Sequence, residues 1–228
     1  MIKRRIWNIF TFTLKFLSPS LRAQVINFKY LAIDRGQYAS IKLGRSVDNK
    51  MRPIPWWTYP VIDYLNQYKF YDETIFEYGP GNGTLWFVGK GCKKIISVEN
   101  NKKWYQILDA SKKSNQVIIY KENKDDYFNE IFKYSPTVLI IDGKWRRENL
   151  EFICSNFESL HKNLKMIIID NPDKFKLGEL ISKITNNYEF VQADFFGFGP
   201  AFRGIGCTSV LLHSRNKVQK SNSIFPYI

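Results

Sequence analysis

The sequence predicts an α/β protein built on a doubly wound sheet of seven strands, mostly parallel, with helices on both faces. Short apolar strand patterns alternate with amphipathic helix patterns over residues 61–187, which is typical of a parallel sheet covered on both sides. Two further strand patterns follow with only a glycine-rich loop between them, which predicts an antiparallel hairpin at the sheet edge. With 228 residues, 44% hydrophobic and 24% charged, the chain suits one principal core rather than a disordered segment.

Residues 1–55 are predicted to form a helical extension. The apolar residues of 2–17 fall on one face at helical spacing and polar ones fall mostly opposite, which indicates an amphipathic helix. Such a helix packs either on its own domain or on an anionic membrane surface, and the sequence leaves both open. A Ser-Pro pair then predicts a second helix over about 19–35. The main domain is expected over 56–214, followed by a C-terminal tail at 215–228.

The elements of the main domain follow from hydrophobic periodicity. Runs rich in isoleucine, valine and aromatic residues predict strands at 74–78, 94–99, 116–120, 137–142, 165–170, 188–196 and 207–214. Longer segments with a 3.6-residue period predict helices at 61–70, 84–91, 101–113, 125–134, 146–160 and 177–187. Because the last two strands have no helix between them, they should pair with each other.

Charge and cysteine usage narrow the functional classes. The formal net charge of +13 is spread along the chain, which favours a basic surface, an anionic membrane or an anionic substrate over nucleic acid. The three cysteines form no CxxC pair and the two histidines are too few for a histidine metal centre. No apolar run is long enough to cross a bilayer. A cytoplasmic protein is expected, with peripheral attachment to the inner face of the membrane as the alternative that residues 1–17 suggest.

The strand at 74–78 runs into a glycine-rich turn. Glu77 is followed by Gly79, Gly81 and Gly83, and a helix begins at once. Glycines let the backbone turn sharply and let a ligand approach the amides at a helix N-terminus. The next strand ends in Glu99, a position suited to accept hydrogen bonds from ribose hydroxyls.

The pattern Glu-x-Gly-x-Gly-x-Gly, the acidic residue closing the second strand and the terminal hairpin together resemble the class I S-adenosylmethionine-dependent methyltransferases, which have a Rossmann-like fold. The resemblance covers about residues 60–214. It implies S-adenosylmethionine as the cofactor. The residues that it assigns to the cofactor are Glu77, Gly79, Gly81, Asn82 and Gly83 around the methionine moiety, Glu99 at the ribose, Asn100 near the adenine, Asp125 or Asp126 at the adenine amine, and Asp142.

Carboxylate and amide side chains follow the fourth and fifth strands. Asp142 ends one and Asp170 with Asn171 ends the other, so all three should meet at one sheet edge. The arrangement is similar to metal-dependent catechol-type O-methyltransferases. That similarity implies Mg²⁺ held by the three oxygens, lowering the pKa of an acceptor hydroxyl. The family's base falls one position further on, where this chain has Trp145, and Lys144 is the candidate base here. The alternative is that Asp142 contacts cofactor or substrate and no metal binds.

Three further residues are candidates for contact with the acceptor. Arg146 stands beside a predicted helix start, where a cation is unfavourable, and is expected to hold a carboxylate or phosphate and to act with Asp142 and Lys144 in catalysis. Arg203 lies in the hairpin loop, a candidate lid, and Trp57 is placed to cover the site.

These residues predict a methyltransferase acting on a small-molecule, saccharide or lipid-linked acceptor, with oxygen as the methyl acceptor. Two alternatives stay open. The charge and the abundant aromatic residues would also suit an RNA methyltransferase. A methyltransferase-like binding module without turnover is the third interpretation, because a fold does not fix a function.

Overall fold

A computed structural model describes residues 2–220 of the chain, so Met1 and positions 221–228 of the predicted tail lie outside the described residues. The extension holds three helices. They are α1 (Ile2–Leu17), α2 (Pro19–Lys29) and α3 (Gln37–Leu43). Ser18 caps α2, since its Oγ accepts the amide of Leu21, and a π-helical turn continues α2 through Tyr30–Asp34. The predicted helices at 2–17 and 19–35 are confirmed, whereas α3 is an addition.

The apolar face of α1 points to solvent. Ile9 and Phe16 are 67% and 71% exposed, while Thr11 and Leu14 on the other side are buried. The Arg22 Nε of α2 donates to the carbonyl oxygen of Thr11 at 2.9 Å. Helix α1 therefore packs on α2 through the face opposite to its apolar stripe. In the structure the apolar stripe does not pack on the protein's own domain, which is one of the two alternatives that the sequence leaves open.

All seven strands form one sheet, in the order β3-β2-β1-β4-β5-β7-β6. The strands are β1 (Thr74–Tyr78), β2 (Lys94–Glu99), β3 (Gln116–Tyr120), β4 (Val138–Ile141), β5 (Met166–Asp170), β6 (Phe190–Gly197) and β7 (Gly206–His213). The first five are mutually parallel, and β7 runs antiparallel to both β5 and β6. The predicted fold class and the terminal hairpin are confirmed, with β7 lying inside and β6 at the edge.

Of the remaining helices, α4 precedes β1 and the others lie between strands in the chain. They are α4 (Tyr59–Leu65), α5 (Asn82–Gly89), α6 (Lys102–Ala110), α7 (Lys124–Asn129), α8 (Arg146–Ser155), α9 (Phe157–Leu160) and α10 (Gly178–Asn187). The predicted helix at 146–160 is broken at Asn156, whose side-chain amide donates to the carbonyl oxygen of Phe152 and ends α8. The predicted helix at 125–134 ends early, in a 3-10 turn at Glu130–Lys133.

Apolar side chains cover both faces of the sheet. Neighbouring residues Ile75 and Phe76 of β1 are fully buried in two different clusters, one on each side. This alternation follows from the two-residue period of a strand and confirms that the sheet is covered on both faces. The start of the predicted tail also packs here, because Val218 is buried and the Lys69 amide donates to the carbonyl oxygen of Gln219.

Candidate cofactor and acceptor site

One cavity of about 690 Å³ opens at the carboxyl ends of β1, β4 and β5. Ligands of open α/β sheets bind at this edge, where the strand order reverses. The residues that line it come from the glycine-rich turn, the ends of β4 and β5, the β6–β7 loop and the end of the helical extension. They include Arg45, Ser46, Trp56, Glu77, Gly79, Gly81, Asn82, Gly83, Trp104, Asp142, Arg146, Asp170, Asn171, Lys174, Phe202 and Arg203.

Two glycines bring the turns after β1 and β4 into contact. Gly79 has φ +88°, and a Cβ there would meet Gly143 Cα at 2.3 Å. A Cβ on Gly143 would in turn meet the Tyr127 hydroxyl at 2.3 Å. The fold therefore requires glycine at position 79, and a side chain at position 143 would force the buried Tyr127 hydroxyl to move. Gly81 differs, because its φ of −168° suits any residue and a Cβ there would meet nothing within 4 Å.

Glu77 lies buried beneath the glycine-rich turn. Its Oε2 accepts hydrogen bonds from the Thr84 hydroxyl at 2.6 Å and the Ser97 hydroxyl at 2.7 Å. Thr84 Oγ1 also accepts the amide of Gly81, which joins the turn to the carboxylate. Burial raises the pKa of Glu77 to about 8 despite these donors. A positive charge bound nearby would favour its ionised form.

The residues predicted to contact the adenosine do not line this cavity. Glu99 Oε1 accepts the backbone amides of Asn100 and Asn101 at 2.8 and 2.6 Å, and burial raises its pKa. Neither Glu99, Asn100 nor Asp125 is among the cavity-lining residues, so their assignment to ribose and adenine stays a prediction. Trp104 lines the cavity instead, and its indole donates to the carbonyl oxygen of Pro80 at 2.8 Å.

The helical extension contributes to the site as well. The side-chain amide of Asn82 donates to the carbonyl oxygen of Ser46, which ties the glycine-rich turn to the segment after α3. Arg45 and Ser46 line the cavity, as does Lys174 after β5. Sequence reasoning missed all three. Arg45 and Ser46 could have been found from their position in the proline-rich connector between the extension and the main domain. The predicted boundary at residue 56 placed this connector outside the main domain.

Arg146 joins the ends of β4 and β5. Its Nη2 donates to Asp142 Oδ1 at 2.6 Å, while Nη1 donates to Asp170 Oδ2 at 3.0 Å and to Asn171 Oδ1 at 2.8 Å. Its Nε donates to the backbone carbonyl oxygen of Asp142. All three guanidinium nitrogens are thus engaged within the protein, so the prediction that this side chain holds an anion of the acceptor does not fit the geometry. Burial raises the pKa of both carboxyl groups, and the guanidinium opposes that shift.

The same contacts argue against the predicted Mg²⁺ site. The three oxygens proposed as ligands, from Asp142, Asp170 and Asn171, all accept hydrogen bonds from one guanidinium. The described residues contain no cluster of three or more His, Cys, Asp and Glu side chains suited to a metal ion. As arranged, these residues do not fit Mg²⁺, and the predicted metal is not supported. The Arg146 guanidinium already occupies the position between these oxygens that a metal ion would take.

Two other predicted residues do not line the cavity. The Lys144 ammonium lies 4.6 Å from the centroid of the Trp145 ring, and Lys144 is not a lining residue, so it is not placed to act as the base. Trp57 is 1% exposed and donates from Nε1 to Asp142 Oδ2 at 3.1 Å, which makes it a support for that carboxylate rather than a substrate contact. Its neighbour Trp56 lines the cavity. Arg203 lines it as predicted.

Comparisons with known proteins agree with this architecture. No protein-family model and no curated protein sequence matches the chain. Among solved structures, it is similar to the O-methyltransferase from Bacillus cereus in complex with S-adenosylhomocysteine, with a TM-score of 0.55 and 13% identity over 84% of this chain and 97% of that one. It is also similar to the O-methyltransferase TomG from Streptomyces achromogenes, involved in tomaymycin synthesis and solved with S-adenosylmethionine, with a TM-score of 0.52 and 10% identity over 82% and 94% of the two chains. The chain has the Rossmann-like fold of the class I S-adenosylmethionine-dependent methyltransferases.

Proposed function

We propose that this protein is an S-adenosylmethionine-dependent methyltransferase. The observation that carries the proposal is the glycine-rich turn backed by buried Glu77, opening on a cavity at the carboxyl ends of the central strands. The residues that would hold the cofactor in this cavity are Glu77, Gly81, Asn82 and Gly83. When bound, the cofactor supplies an electrophilic methyl group on a positively charged sulfur.

The charge and shape of this end of the cavity suit such a ligand. A buried carboxylate next to the turn favours a cationic ligand over a pyrophosphate. Gly81 and Gly83 carry no side chain that would keep a ligand from the backbone amides at the start of α5. Since the fold does not need glycine at position 81, its absent side chain is best explained by a ligand that lies there.

We infer that the acceptor is a small-molecule, saccharide or lipid-linked compound methylated on oxygen. Asp142 supports this inference because its carboxylate lines the cavity and is held in place by Trp57 and Arg146. Burial raises the pKa of Asp142, so this side chain is suited to take the proton that an acceptor hydroxyl loses. In this proposal Arg146 orients Asp142 and Lys144 has no part.

The cofactor proposal is tested by calorimetric titration of the protein with S-adenosylhomocysteine, and with NAD in parallel. We expect saturable binding of the first alone. Gly81→Ala should weaken binding at least about tenfold while leaving the free energy of unfolding unchanged, because its Cβ would project into the ligand's space and touch no protein atom. Binding of neither compound would favour the non-catalytic interpretation. Transfer of labelled methyl groups to an RNA fraction, and not to small-molecule or lipid fractions, would replace the acceptor class with RNA.

We also propose that the extension attaches the protein to an anionic membrane surface. The exposed side of α1 carries large apolar residues, and Arg5 and Lys15 of the same helix are exposed. Apolar side chains that enter the headgroup region and basic ones that meet anionic lipids are the two components of interfacial helix binding. No helix within residues 2–220 combines the length and hydropathy needed to span a bilayer.

Vesicle co-sedimentation tests the attachment. The protein should bind vesicles of phosphatidylglycerol and phosphatidylcholine, and the double variant of Ile9→Ser and Phe16→Ser should lose that binding. The matched control is the double variant of Val191→Ser and Phe196→Ser on edge strand β6, where both residues are 62% exposed. Equal loss, or equal retention, in the two double variants would contradict attachment through α1.

A further inference from the structure

Basic side chains line the exposed part of the cavity, here called its basic end. Three exposed cationic side chains line it: Arg45 after α3, Lys174 after β5 and Arg203 in the β6–β7 loop. They come from three segments far apart in sequence that the fold gathers around one opening. By contrast, Glu77 and Asp170 are 2% and 3% exposed, so the acidic groups occupy the interior.

None of the three cations forms an ion pair with a described residue of the chain. The interior cation Arg146 differs, because it pairs with both Asp142 and Asp170. Three like charges around one opening repel each other and raise the local positive potential. The buried Asp170 carboxylate attracts Lys174, and an anionic ligand would further reduce the repulsion among the three cations.

A second observation at the same cavity concerns Asn171. Its Oδ1 accepts a hydrogen bond from Arg146, which fixes the orientation of the amide. Its Nδ2 is buried and has no hydrogen-bond partner within residues 2–220. A buried donor without a partner costs free energy, and a ligand oxygen reaches it only when the side chain shifts towards the cavity.

We propose that the methyl acceptor carries an anionic group, a phosphate or a carboxylate, which binds at the basic end formed by Arg45, Lys174 and Arg203. This inference rests on the proposed methyltransferase function and names the substrate class. The cavity then sorts its two ligands by charge: the cationic cofactor takes the end with Glu77, and the anionic acceptor takes the exposed end.

The test uses the full chain and two triple variants of equal net charge. The first replaces the basic end, with Arg45→Gln, Lys174→Gln and Arg203→Gln. The control removes three exposed lysines that do not line the cavity, with Lys103→Gln, Lys162→Gln and Lys183→Gln. Each protein is titrated calorimetrically at low salt with inorganic phosphate and with acetate, in the presence and absence of S-adenosylhomocysteine.

We expect the unmodified protein and the control to bind one of the two anions with similar affinity, and the first triple variant to bind it at least about tenfold more weakly. The anion that binds more tightly identifies the group as phosphate or carboxylate. Equal affinities of the two triple variants, or no binding of either anion to the unmodified protein, would overturn the inference. The cofactor titration tests the two proposals separately. Failure of S-adenosylhomocysteine to bind the unmodified protein would overturn the methyltransferase function. The anion titrations would still show whether the basic end binds an anion.

Discussion

Arg146 Nη1 lies 3.0 Å from Asp170 Oδ2, so the first residue of α8 is bonded to the last residue of β5. The Asp170 side chain is 5% exposed and that of Arg146 is 15% exposed, which makes this a largely buried ion pair. Thr208 of β7 donates its hydroxyl to the other carboxylate oxygen, Oδ1, at 3.0 Å. Three elements of the fold, α8, β5 and β7, therefore meet at one carboxylate on the cavity wall.

Replacing Arg146 with methionine should destabilise the fold by about 3 kcal/mol, because it leaves the buried Asp170 and the partly exposed Asp142 without their cation. Arg146→Lys should recover only part of this, since an ammonium cannot reproduce the fork of donors. The matched control is Arg147→Met, whose side chain is 44% exposed and should change stability by less than about 1 kcal/mol. Urea unfolding at neutral pH measures all three, and equal losses for Arg146→Met and Arg147→Met would contradict the structure.

Magnesium should not change the thermal stability of the unmodified protein, because Arg146 already occupies the oxygens that a metal would need. The midpoint of thermal unfolding should be the same in Mg²⁺ and in EDTA. The Arg146→Ala variant should behave differently: its freed carboxylates and amide oxygen are hard ligands, so Mg²⁺ should raise its midpoint. A Mg²⁺-dependent rise in the unmodified protein would restore the metal hypothesis.

Glu77 predicts a pH dependence of stability. Its pKa is about 8 in the folded protein against an ordinary value of 4.5, so the folded state binds the extra proton between these values. The stability that this proton provides is present below about pH 4.5 and is lost as the pH rises towards 8. Glutamine at position 77 does not titrate, so the stability of Glu77→Gln relative to the unmodified protein should rise between about pH 5 and about pH 8.5. We expect this relative gain in the free energy of unfolding to be on the order of 3 kcal/mol.

Urea unfolding at the two pH values measures this effect, with exposed Glu122→Gln as the control, for which no comparable change is expected. A constant difference between Glu77→Gln and the unmodified protein at both pH values would show that the Glu77 carboxyl keeps an ordinary pKa.

The contact of Gly143 with Tyr127 predicts a coupled pair of substitutions. Gly143→Ala should destabilise the protein by about 1–3 kcal/mol, because the new methyl group overlaps the hydroxyl of a buried tyrosine. In a Tyr127→Phe background the same substitution should cost less, since the overlapping oxygen is gone. A double-mutant cycle of unfolding free energies measures the coupling, and strictly additive losses would mean that the two residues do not touch.

The sheet could be predicted closely from the sequence, and the site only in part. The bounds of β1, β2 and β3 agree with the prediction because short apolar runs between lysine, glycine and asparagine residues mark both ends of a strand. The glycine-rich turn could also be predicted, because its signal lies within a few neighbouring residues. Helix ends were less accurate, since α8 stops at a side-chain cap that periodicity does not reveal.

The roles of individual side chains depended on contacts between distant segments. Arg146 and Asp170 are close because β4 and β5 are neighbours, but no local pattern says whether a cation or a metal balances the oxygens. Trp56 and Trp57 are equivalent in the sequence, and only the path of the connector decides that one lines the cavity and the other is buried. The apolar stripe of α1 could be predicted from the sequence, whereas the side of α1 on which α2 packs could not.

The position of β7 in the sheet affects how the chain folds during synthesis. Strand β7 follows β6 in the chain but lies between β5 and β6 in the sheet. While the chain is being synthesised, the apolar edge of β5 stays unpaired until residues 206–213 have left the ribosome. An open edge of this kind invites pairing with other chains. Nascent chains that stall before residue 206 should accordingly aggregate or recruit chaperones, whereas completion of the hairpin closes that edge.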